Sequence, residues 1–207
     1  MTAVEYETSW GERVRLAICA DRYEQGGALA LLAINVTDPG VEEWYLGLWS
    51  VLTVNLPGDP AAAVWCAGGG HVVLDASNVP AALVDALAEA GVIELSGRSV
   101  RSAFCSYPLA TVPPRALAGL RGYEKTVREL APLTVVLEWE DGEGGGAEEW
   151  GRAPRGEGLD ALVASASSEA DALAARGCEW AAVRVGVGGV EDVDCETGET
   201  VHVAEGR

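Results

Sequence analysis

Basic side chains are scarce in this chain of 207 residues. There are 13 arginines and a single lysine, Lys125, against 32 acids, for a formal net charge of −18. Binding to a nucleic-acid backbone or an anionic membrane surface needs clustered Lys and Arg, so the composition argues against both. Long hydrophobic runs are missing too: none reaches the roughly 18 residues of a spanning helix. Residues 1–10 have no basic and no apolar stretch, so they do not read as a secretory signal. The expected compartment is therefore a reducing cytoplasm. Histidine occurs twice, at His71 and His202. A zinc site needs three or four imidazole or thiolate ligands, and these would have to gather from far-apart segments, so no metal is expected. The five cysteines (Cys19, Cys66, Cys105, Cys178 and Cys195) include no C-x-x-C pair, which removes a thioredoxin-like motif and a zinc knuckle. No G-x-S-x-G elbow is present.

Two glycine clusters invite a phosphate-loop reading and fail it. Gly68-Gly69-Gly70-His71 lacks the Lys-Ser/Thr of a Walker loop and precedes a strand pattern rather than a helix. Gly186-Val187-Gly188-Gly189 leads into no helix either, which removes the dinucleotide reading. No cofactor and no catalytic residue is expected. A cysteine nucleophile, Cys66 or Cys105 with His71, stays open as an alternative, although Cys19 and Cys105 lie in apolar runs where a buried, inert thiol is usual.

About half of the chain is apolar, enough for a core. Arg13–Ala20 alternates charged and apolar residues, the period of a half-buried strand. Ala28–Val36 is a second apolar run, and Gln25-Gly26-Gly27 supplies the turn between them. Residues 44–56 read as a third strand. His71–Asp75 reads as a short strand, and Ser77 or Asn78 is placed to cap a helix bearing Leu83, Val84 and Leu87. Phe104–Val112 reads as a strand, and Pro113-Pro114 starts a short helix. Farther on, Leu133–Trp139 is strand-like, and Leu159–Arg176 carries Leu159, Leu162, Val163, Ala166, Ala170 and Leu173 on one helical face before Gly177. Trp180–Val187 reads as a strand, and Val190–Val203 as a hairpin. The expected class is α+β. An antiparallel β-meander with one or two helices spans residues 1–120, and a small acidic β-α-β-β unit spans 121–207.

Charge is concentrated in that second part. Glu138, Glu140, Asp141, Glu143, Glu148 and Glu149 give six acids and no base within twelve residues. Residues 140–158 are Gly- and Glu-rich without an apolar period and read as a solvated loop. Trp150 sits inside that loop, flanked by charge, and is a candidate contact anchor. Asp192, Asp194, Glu196 and Glu199 add a second cluster. Fixed carboxylates at this density present a field to a basic groove and favour encounter with it.

Thr53-Val54-Asn55-Leu56-Pro57, then Gly97 and Ser102-Ala103-Phe104-Cys105-Ser106-Tyr107-Pro108, carry a resemblance. In this order they resemble a family of small proteins of unknown function from phages and mobile elements of gut bacteria. There, T-V-N-L-P precedes a connector and helix, and a G-F-C-x-Y-P-like strand follows. The match covers about residues 13–120, with Ala103 standing where the pattern has glycine. The resemblance implies a mobile-element setting, in which small acidic proteins act as nucleic-acid mimics against restriction or CRISPR nucleases. The expectation is thus a non-catalytic acidic protein that binds a protein partner, such as a basic nucleic-acid-binding enzyme. A small cysteine enzyme and a structural or oligomer-forming domain are the alternatives.

Overall fold

Alternation of apolar and polar residues builds the first sheet. The computed structural model describes residues 1–37, 46–102, 104–187, 193 and 198–206. Strands β1 (Ala3–Glu7), β2 (Arg13–Arg22), β3 (Leu29–Asn35) and β4 (Leu48–Val51) form an antiparallel sheet in that order. On β2, Val14, Leu16 and Ile18 are buried while Arg13 and Arg15 face solvent. Gly26 and Gly27 take φ of +80° and +65° in the β2–β3 turn, a backbone region open to glycine at little cost. Strand β1 is a period-2 segment hidden inside a polar stretch: Val4 and Tyr6 are buried, and Glu5 and Glu7 are exposed.

Residues 52–54 leave the meander and pair with a second sheet. Leu52 N–H donates to the Leu31 carbonyl, and Val54 N–H donates to that of Val73. The second sheet has the order β5 (His71–Val73), β7 (Cys105–Thr111), β6 (Glu94–Ser102). Among the described residues, three helices rather than one or two fall within 1–120, α1 (Pro60–Cys66), α2 (Ala81–Glu89) and α3 (Pro114–Gly119), and α4 (Tyr123–Leu130) follows. The cap of α2 is Pro80, with no side-chain bond. Ser77 and Asn78 instead bond to the Asp75 carboxylate in the preceding turn. Leu16, Leu31, Leu52, Leu74, Leu83 and Leu87 are fully buried in one cluster.

The chain divides into two compact units, Met1–Glu129 and Leu130–Arg207. Most of α4 stays with the first unit, where the Asp21 carboxylate accepts the Tyr123 N–H and Arg121 pairs with Glu129. The fold class is α+β, as expected, with antiparallel sheets throughout the described residues.

The second unit is β-β-α-β-β. Its strands are β8 (Leu133–Asp141), β9 (Gly144–Ala153), β10 (Trp180–Gly186) and β11 (Glu199–Glu205), in the order β11-β10-β8-β9. Helix α5 (Glu157–Ala175) packs Ala166, Ala170 and Ala174 against Val135, Leu137, Ala181 and Val183. The solvated-loop reading of 140–158 is therefore corrected, because most of it is strand β9 and the start of α5. Glycines and glutamates gave no apolar period, and pairing with β8 supplies the order instead. Gly146 has a specific reason: a Cβ there would lie 2.6 Å from the Trp139 indole, which lies across it. Of the expected final hairpin, residues 190–192 and 194–197 lie outside the described residues.

Candidate functional site

The acidic segment folds as the β8–β9 hairpin. Its turn is closed by Asp141, whose Oδ1 accepts the N–H groups of Glu143 (2.9 Å) and Gly144 (3.1 Å). Asp141 is thus a turn-former first. Leu137 and Trp139 face α5, so the alternate residues Glu138 and Glu140 face the other way.

Glu138 is only 13 % exposed at its side chain and pairs with Arg184, 16 % exposed, at 2.7 Å. Arg184 also donates to the Thr200 hydroxyl at 2.6 Å. Glu140 accepts the Trp180 indole N–H at 2.7 Å. Glu149 stands opposite Val136, on the same face as Glu138, and pairs with Arg152 at 2.9 Å. Glu148 stands opposite Leu137, on the helix side of the sheet. The two adjacent glutamates therefore face opposite ways.

Glu143 and Glu148 are exposed and have no ion-pair partner among the described residues. Glu199 is likewise free, on the far edge strand. It pairs across with Val185, which faces Val135, six positions from Asp141 along β8. Strand geometry sets the two acidic groups on the order of 20 Å apart. Asp192, Asp194 and Glu196 lie outside the described residues. The carboxylates of 138–149 thus share no single face, and four of the six have a hydrogen-bond or ion-pair partner within the fold.

Trp150 is corrected as a loop-borne anchor. It is the extra residue where Val135 faces Gly151 and Val136 faces Glu149, a β-bulge. A bulge re-aims its side chain, and the half-buried indole packs against the helix–sheet core. Sequence reading missed the partners Arg184, Arg152, Thr200 and Trp180. Arg184 lies 46 residues from Glu138, and no local pattern links them.

The cysteine–histidine alternative finds no geometry. The His71 ring stacks on Trp65 with centroids 4.3 Å apart, and its Nδ1 lies 3.0 Å from the Trp65 carbonyl oxygen. The Arg98 guanidinium lies 5.6 Å from the Trp65 ring centre. No cysteine hydrogen-bonds a histidine among the described residues. Burial pushes the thiols of Cys66 and Cys19 above their ordinary value, the reverse of what a nucleophile needs. For Cys19, a hydrogen bond from Thr126 opposes that effect and the Asp21 charge adds to it. Among the described residues, no group of three or more His, Cys, Asp or Glu side chains is arranged for a metal ion, and no helix is long and apolar enough to cross a membrane.

Compared with known proteins, the chain matches no family model, no curated protein and no solved structure.

Proposed function

We propose that this chain is a non-catalytic acidic protein of the cytoplasm. It binds a protein partner through its C-terminal unit and acts as a nucleic-acid mimic on a basic groove, as of a restriction or CRISPR nuclease. The observation that carries the reading is the charge of residues 130–207: 17 acids against 5 bases, a net of −12. Duplex DNA offers a comparable attraction, one negative charge per roughly 1.7 Å of axis. The resemblance of residues 13–120 to mobile-element proteins supports the counter-defence setting. The hydrogen bonds suggest a division of labour among the carboxylates. Glu138, Glu140, Asp141 and Glu149 serve the fold, so Glu143, Glu148 and Glu199 lead the encounter, with the surrounding net charge as a steering field.

The test is displacement of a labelled DNA duplex from purified restriction and CRISPR nucleases at low and moderate salt. The chain should displace the duplex, and added salt should weaken the effect. The variant E143Q/E148Q/E199Q should need several-fold more protein. Absence of displacement by the native chain from every enzyme, or equal potency of the variant, would count against the reading.

A further inference from the structure

We infer that a basic, extended segment of the partner joins β9 as a further strand of the acidic unit's sheet. This rests on the reading above and names its contact. The order β11-β10-β8-β9 gives β9 a neighbour on one side only among the described residues. Its residues 144–149 face 141–136 in unbroken register, a longer regular run than on any other edge strand described. Asp141 and Gly144 close a two-residue turn. Residues 144, 146 and 148 therefore bond to β8, and 145, 147 and 149 turn their backbone N–H and C=O groups outward. Apart from the half-buried Gly146, residues 143–149 are exposed. No lysine or proline blunts the edge between 144 and 153. Glycine at 144–146 keeps side chains clear of an approaching backbone.

Charge selects the occupant. Residues 138–153 hold six acids and one base, a net of −5. Leaving out both members of each ion pair, Glu138 with Arg184 and Glu149 with Arg152, keeps Glu140, Asp141, Glu143 and Glu148, a net of −4. The sign does not depend on how the pairs are counted. A second copy's β9 would bring the same glutamates to the edge, and like charges across paired strands repel. A strand with Lys or Arg on alternate residues meets the opposite case: main-chain bonds give it affinity, and its side chains select it. Glu149 already has Arg152, on the face away from the helix. The basic side chains of the incoming strand therefore belong on the helix side, opposite Glu148, with Glu143 the next free acid at the turn. In that register the residues between them bond to 145, 147 and 149.

A peptide of about eight residues, alternating lysine and threonine, probes the edge. The native chain should bind it, more weakly as salt rises, with hydrogen exchange slowed several-fold at the amides of Gly145, Ala147 and Glu149. Methylating the threonine nitrogens keeps the charge and removes the donors that face β9, so binding should be lost. Methylating the lysine nitrogens, which face away, should leave it. A147P, folded as judged by the near-ultraviolet signal of Trp139, should also lose the peptide. No binding of the plain peptide, equal binding of the two methylated peptides, or slowed exchange confined to other amides would overturn the contact. Duplex displacement separates this contact from the reading it rests on. If the native chain displaces duplex DNA from a nuclease and A147P does so equally well, strand addition falls and the charge reading stands. If the peptide protects 145, 147 and 149 but the native chain displaces no duplex, the charge reading falls and strand addition stands.

Discussion

Replacing Glu138 by alanine separates its part in the fold from any part in binding. The Glu138–Arg184 pair is more than four-fifths buried and its atoms meet at 2.7 Å. Among the described residues, removing the carboxylate leaves the guanidinium with the Thr200 hydroxyl as its hydrogen-bond partner. Loss of one partner from a fully buried pair costs about 3–5 kcal/mol. Residual solvent at both side chains lowers that here, to about 2.5 kcal/mol. With a urea dependence of about 1.5 kcal/mol per molar for a unit this small, the midpoint should fall by about 1.7 M. Indole fluorescence of Trp139, Trp150 and Trp180 follows the transition, since all three lie in Leu130–Arg207. The double variant E138A/R184M should recover most of the loss, because an apolar replacement of both partners strands no charge. A single variant within about 0.5 kcal/mol of the native chain, which is the range of an ordinary surface change, would refute the reasoning. So would a double variant less stable than the single one.

Three further outcomes follow from the packing. G146A should lower stability by about 1–2 kcal/mol and change the near-ultraviolet signal of Trp139, since the new methyl meets the indole. T53V should cost about 2 kcal/mol in chemical denaturation, because the buried hydroxyl accepts the Leu31 N–H at 3.1 Å and meets the Tyr23 hydroxyl at 3.0 Å. Burial also raises the ionisation of Cys19, Cys66 and Tyr23 above ordinary values of 9.0, 9.0 and 10.0. A raised folded-state value means the stabilisation is complete below the unfolded value and is lost as pH climbs through the folded one. Melting temperature should therefore hold near neutrality and fall from about pH 9 upward, and iodoacetamide should modify Cys66 slowly at pH 7.5; a flat profile to pH 11 would contradict the burial.

What could be read from the residues depended on period. Helix α5 was legible because Leu159, Leu162, Val163, Ala166, Ala170 and Leu173 recur at helical spacing, and all six pack in the core. Strand β9 was not, because Gly144, Gly145 and Gly146 have no side chains to alternate. Its geometry comes from β8, a partner that no window over 144–153 contains. The same limit governs the acidic site. Counting gives the charge, but the pairing of Glu138 with Arg184 and of Glu140 with Trp180 depends on β10 lying beside β8. The segments 53–57 and 102–108 show the complementary case. Thr53 ties Leu31 and Tyr23, Val54 reaches Val73, and the Pro108 carbonyl accepts the Leu74 N–H. Those residues join the two sheets of the first unit. Such joints serve the architecture of the first unit. Evidence on function has to come from side chains the fold leaves uncommitted, which within the acidic hairpin means Glu143 and Glu148.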